Sequence, residues 1–107
     1  MGMTETEFSA TGVRIERWPR SLTRAGQVLI KDGTLALLTS YGRVIESAPV
    51  RGVRAGKPWF ADDASTVATL NGKRYRLTMG QRSRRPEGRA LAGRFLEAVR
   101  GAGGRRS

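Results

Sequence analysis

The chain contains neither cysteine nor histidine. The first absence excludes disulfides and thiolate metal sites. The second removes the commonest general base and the commonest metal ligand. A metal site would have to be all-oxygen, and catalysis would rest on carboxylates, Lys, Tyr or Ser alone. Long apolar runs are missing too: the longest, Leu35–Leu38, falls far short of the roughly 20 residues of a membrane-spanning helix. The first ten residues carry Glu5 and Glu7 and lack the basic-then-apolar order of a secretion signal. Met1-Gly2 with Thr6 fits the N-myristoylation pattern, which is short enough to arise by chance. Met1-Gly2-Met3 equally reads as two residues ahead of a start at Met3. The domain would then be the soluble part of a longer, membrane-anchored chain; otherwise it is expected to be cytoplasmic, at most peripheral to a membrane.

What remains is a chain of 107 residues, 38% hydrophobic and 27% charged, enough for one domain with one modest core. Its formal net charge is +11, carried by 20 basic residues. Only Lys31, Lys57 and Lys73 are lysines; the rest are arginine. With 14 glycines, that skew has the look of high-GC bacterial coding, so codon usage supplies part of the charge. Position says more than the total. Residues 1–72 are nearly balanced, whereas 73–107 hold eleven basic residues against Glu87 and Glu97. An asymmetry of this kind points to an anionic partner met by the last third.

Residues 1–11 are polar and read as a flexible tail. Val13-Arg14-Ile15-Glu16-Arg17-Trp18 alternates with the period of a half-buried strand, which Pro19 ends. Residues 21–26 read as a loop. Val28-Leu29-Ile30 and Leu35–Thr39 flank Asp32-Gly33, a hairpin signal. Tyr41-Gly42 marks the next turn. Val44-Ile45, then Val50 with Val53, give two further short strands about Pro49. Thr66–Leu70 and Lys73–Met79 are joined by Asn71-Gly72, another two-residue hairpin turn. In the second of these strands Tyr75, Leu77 and Met79 share a face with Lys73, and Arg74 and Arg76 take the other. Residues 80–85 form a basic loop. Pro86 and Glu87 suit a helix start. Leu91, Ala92, Phe95, Leu96, Ala98 and Val99 make one apolar stripe, with Arg89, Arg94, Glu97 and Arg100 opposite. Gly101 ends the helix, and 102–107 read as a basic disordered tail.

The expected class is therefore mainly β (α+β): about seven short antiparallel strands forming a barrel or sandwich, closed by one C-terminal amphipathic helix whose stripe covers the sheet. The hairpin Val28–Leu38, the run Gly42-Arg43-Val44-Ile45, the returning Val50–Val53, the hairpin Val67–Leu77 and the helix Arg89–Arg100 together resemble a pleckstrin-homology-like (PH-like) domain in its compact bacterial form, as a single domain over 12–101. The resemblance implies a binding fold for lipid headgroups, peptides or proteins, without intrinsic catalysis. It departs from lipid-binding members in one respect. They cluster Lys and Arg between their first two strands, where this chain offers either Lys31 or Arg20 and Arg24, depending on which strand is first.

Three arginines on one loop, Arg82, Arg84 and Arg85, with Arg74, Arg76 and Arg89 nearby, could grip phosphates, because guanidinium presents paired donors to phosphate oxygens. The plainer reading is a solvated linker rich in arginine through codon bias. Tyr41, in its turn, is the aromatic expected to be exposed. Trp59, beside Pro58, is a core anchor with a secondary interface role. Asp62-Asp63 has no third acid at calcium-loop spacing and suits a turn or cap. No cofactor, metal or small-molecule substrate is expected. The functional expectation is a non-catalytic adaptor docking onto a protein partner or an anionic membrane surface through its Arg-rich last third. The alternative is a nucleic-acid-binding module that contacts the phosphate backbone with the same residues.

Overall fold

The computed structural model describes residues 6–17, 20–57, 65–79 and 85–106. The element order is β1 (Thr6–Arg17), β2 (Arg20–Lys31), β3 (Thr34–Leu38), β4 (Val44–Pro49), a 3-10 turn (Val50–Gly52), β5 (Arg54–Gly56), β6 (Ser65–Leu70), β7 (Lys73–Thr78), α1 (Arg85–Gly101) and β8 (Arg105–Arg106). The strands line up as β4-β3-β2-β1-β7-β6-β5-β8. Seven of them form two antiparallel meanders, β1–β4 and β5–β7, and β1 belongs to both sides: it pairs with β2 along its length and with β7 through Arg14, Ile15 and Glu16. The mainly β architecture with one C-terminal helix is as expected.

Both two-residue turn signals are hairpins. Asp32 and Gly33 have φ of 56° and 70°, and Asn71 and Gly72 have 53° and 78°. These left-handed pairs are the type I′ geometry that matches strand twist. Alternation then sorts the side chains. Val28 and Ile30, Leu35 and Leu37, Ala68 and Leu70, and Tyr75, Leu77 and Met79 all enter one core. On α1, Ala92, Phe95 and Val99 are buried in that core, and Leu91, Leu96 and Ala98 pack against it. The Phe95 ring meets Phe8 edge-on, centroids 5.5 Å apart.

Four sequence readings are corrected. The first strand begins at Thr6, inside the stretch read as a tail, and Phe8 and Ala10 are buried. The reason is a bulge: the β1–β2 register shifts between Ala10 and Val13, around Gly12 at φ 65°, so Phe8 and Ala10 face the core together with Val13 and Ile15 despite opposite parity. Residues 21–26 are strand, not loop. Val50 sits in a 3-10 turn, and β5 starts only at Arg54. Finally, 102–107 is not wholly a tail. The helix closes with Gly103 N–H on the Arg100 carbonyl (3.2 Å) and Gly104 N–H on the Val99 carbonyl (2.7 Å). With Gly103 at φ 100° this is a Schellman cap. It redirects the chain so that Arg105 and Arg106 pair in parallel with Arg54 and Ala55.

Candidate functional site

Three arrangements carry polar chemistry, and the strands place each of them. The first lies where the β1–β2 hairpin runs on beyond the end of β3. Thr39 closes the β3–β4 loop on itself: its N–H donates to the Arg43 carbonyl (2.8 Å), its carbonyl accepts from Gly42 N–H (3.0 Å), and its Oγ1 accepts from Arg43 N–H (3.1 Å). With Gly42 at φ 83° this is a three-residue hairpin loop pinned at its base. Tyr41 stands at its tip, 95% exposed, with Val44 at 55% and Leu22 at 38%, the only exposed large hydrophobic residues among those described. An open groove of about 760 Å³ runs between Leu22 and Thr23 on one side and Thr39–Arg43 on the other. Arg20, Arg24 and Arg43 around it are exposed, and 20–25 with 39–44 contain no carboxylate. Because β1 is the first strand, the connection between the first two strands is the one flanked by Arg17 and Arg20, with Arg24 inside β2, not the one holding Lys31.

The second arrangement ties β4 to the β6–β7 turn. Glu46 accepts from Asn71 Nδ2 (2.6 Å), Tyr75 Oη (2.9 Å) and Lys73 Nζ (3.2 Å), while Asn71 Nδ2 also donates to the Ser47 carbonyl (3.0 Å). The Glu46 side chain keeps only 15% exposure. Hydrogen bonds from Asn71, then Tyr75 and Lys73, hold its carboxyl below the ordinary carboxylate value near 4.5. Burial, reinforced by Glu46, raises the Tyr75 phenol. This cluster is a latch across the curled sheet, and it makes a pH prediction. A carboxylate whose pKa is depressed on folding contributes stability above its unfolded value and loses it as pH falls through its folded value. Thermal midpoints of the wild type are expected to drop as pH falls below about 4.5. Glu46→Gln should show a flatter acid limb and a lower midpoint at neutral pH. Parallel curves for the two proteins would mean that Glu46 is no latch.

The third arrangement is the outer face of the β5–β6–β7–β1 sheet, opposite the core. Register sets out its rows: Arg74 beside Thr69 beside Arg54, and Glu16 beside Arg76 beside Val67. Arg14 pairs with Glu16 at 3.7 Å. Arg54 and Arg74 are exposed, and neither has a carboxylate partner among the described residues. Nε of Arg14 and of Arg76 is buried without a hydrogen-bond acceptor among the described residues.

Of the residues singled out from sequence, Arg74 and Arg76 come together on this sheet face. Arg89 is on the exposed side of α1, Arg85 opens the helix, and Arg82, Arg84, Trp59 and Asp62-Asp63 lie outside the described residues. Tyr41 is exposed as expected. Two residues of these sites did not stand out in sequence. Arg54 joins Arg74 only through the β5–β6–β7 pairing, and its outward alternation beside Val53 and Ala55 was the available signal. Leu22 lies in the stretch read as loop. Among the described residues no helix is long and apolar enough to cross a membrane.

No protein-family model and no curated protein sequence matches the chain. Its backbone, however, is similar to solved structures. The solution structure of the pleckstrin homology domain of mouse ethanol decreased 4 protein superposes with a TM-score of 0.64 at 13% identity, covering 96% of this chain and 92% of that one. At such identity the shared property is the path of the chain rather than its surface residues. Two antiparallel meanders seamed by β1 and plugged by a C-terminal helix constitute a pleckstrin-homology-like fold.

Proposed function

We propose that the chain is a non-catalytic binding domain that docks peripherally onto an anionic membrane surface through the loop end formed by β2 and the β3–β4 loop. The observation that carries this reading is Tyr41, 95% exposed on a hydrogen-bonded loop, with Val44 and Leu22 also exposed and Arg20, Arg24 and Arg43 around them without a carboxylate in those segments. Tyr is favoured at the membrane–water interface, where its ring sits among headgroups. Each arginine near an anionic leaflet contributes about 1 kcal/mol. Burying so exposed an aromatic costs no rearrangement of the loop, because Thr39 already holds it. On this reading the contact is the loop end rather than the last third of the sequence, where Arg74 and Arg76 occupy a different face.

Co-sedimentation with vesicles of phosphatidylcholine, with and without about a quarter phosphatidylserine, tests the reading. Binding is expected only to the anionic vesicles. Reversing Arg43 to Glu removes one favourable charge and adds an unfavourable one, about 2 kcal/mol or roughly 30-fold weaker partitioning. Tyr41→Ala should weaken it by a further factor of several. Equal sedimentation with neutral vesicles, or no response to Arg43→Glu, would overturn the proposal.

A further inference from the structure

The outer sheet face differs from that loop end in composition: among the described residues it carries arginine with no exposed aromatic. Its rows differ in how well their charge is met. The row of Arg76 also contains Glu16, which pairs with Arg14. The row Arg74–Thr69–Arg54 contains no acid.

The spacing of the row is regular. Neighbouring strands stand about 4.8 Å apart and alternate residues of one strand about 6.7 Å apart. Arg54 and Arg74, two strands apart, are therefore separated by roughly 10 Å, and Arg74 and Arg76 by roughly 7 Å. The Arg54–Arg74 direction runs across the strands and the Arg74–Arg76 direction along β7, so a phosphate backbone laid across the sheet would meet Arg54 and Arg74 in turn, with Arg76 to one side. Guanidinium forks match phosphate oxygens, and a threonine hydroxyl, here Thr69 between two arginines, is a common phosphate donor. Phe8, Tyr75 and Phe95 are all buried in the core, so the described residues give this face no stacking platform, and the contact proposed is to the backbone rather than to bases.

We infer that the row Arg74–Thr69–Arg54, flanked by Arg76, is a sequence-independent contact surface for the phosphate backbone of a nucleic-acid strand, independent of the membrane-facing loop end. The test is fluorescence anisotropy with a labelled mixed-sequence single-stranded DNA of about 20 nucleotides. Three phosphate contacts give a salt slope near −2, so affinity should fall roughly 20-fold between 50 and 200 mM salt. The double variant Arg54→Ser/Arg74→Ser, at exposed positions and with an unchanged melting temperature as its fold check, should lose about 1.4 from that slope while still sedimenting with anionic vesicles. Arg43→Glu should do the reverse, losing vesicles and keeping DNA. No binding at 50 mM salt overturns the inference. So does an unchanged slope in Arg54→Ser/Arg74→Ser, or a slope lowered as much by Arg43→Glu, which would mean diffuse attraction by net charge. Displacement of the DNA by polyglutamate of equal charge at equal concentration would also overturn it, in favour of an acidic protein partner.

Discussion

Phe95→Ala is expected to remove about 3–5 kcal/mol of folding stability, the range for truncating a fully buried Phe. Phe95 is fully buried on α1, and its ring packs edge-on against Phe8 at 5.5 Å, a geometry that adds about 0.5–1.5 kcal/mol beyond area. Two separated parts of the chain depend on it, since Phe8 belongs to the first half of β1 and α1 follows the last long strand. A domain of this size has about 5–15 kcal/mol in all, so the variant should melt at least roughly 12 °C below wild type and lose a large part of its urea midpoint. Glu97→Ala, on the exposed side of the same helix, should move stability by no more than about 0.5 kcal/mol. A Phe95→Ala loss below 1 kcal/mol would mean that the helix is not the lid of this core.

The second large effect comes from a pair of glycines with opposite signs. Gly26 is buried in β2, and a Cβ there would stand 2.5 Å from the Leu38 carbonyl oxygen, 2.5 Å from Thr23 Cγ2 and 3.0 Å from Ile15 Cδ1. The carbonyl belongs to the backbone of the neighbouring β3, next to the Gln27–Leu38 pairing, so it cannot retreat without opening the ladder. Gly26→Ala is expected to cost about 3 kcal/mol, the upper part of the range for overpacking a core. Gly93 lies inside α1, where a Cβ would meet nothing within 4 Å, and it has ordinary helical backbone. Gly93→Ala should therefore stabilise by about 0.5–1 kcal/mol through the lower entropy of the unfolded chain. Urea denaturation of the two variants reads both. The same sign for both would show that close approach at Gly26 is not what selects glycine there.

Most of the fold could be read from local pattern because its turns announce themselves. Asp32-Gly33 and Asn71-Gly72 need left-handed backbone, and glycine after Asp or Asn supplies it without strain. The stripe ending in Phe95 and Val99 has the helical period, and Tyr75, Leu77 and Met79 have the strand period. What local pattern could not show was any feature that depends on a break in period or on a distant partner. The bulge at Gly12 reverses the parity of β1, so Phe8 and Ala10 do not continue the alternation of Val13 and Ile15 and looked like tail. Residues 20–24 are polar because that part of the hairpin extends past the core, which in sequence cannot be told from a loop. β8 exists only because a Schellman cap turns the chain back onto β5. The exposed Tyr41 could be read from its turn, but its company could not, since Leu22 and Arg24 reach it through strand pairing. Arg74 and Arg76 were visible as outward residues. Their partner Arg54 becomes visible only once β5, β6 and β7 stand side by side.

The dual pairing of β1 also governs how the molecule comes together. Within each meander every strand pairs with its neighbour in sequence, and hairpins of that kind close in microseconds. The seam is different: Ile15 pairs with Leu77, across more than half of the chain. The entropy of closing so long a loop must be met before the seam yields any contact, which is why topologies rich in distant pairings fold slowly. The helix that plugs the core lies beyond the second partner of that seam. Its apolar stripe packs on β1 as well as on β5 and β6, so its shelter is complete only once β1 and β7 have met, and the two meanders are expected to form their hairpins before their common interior.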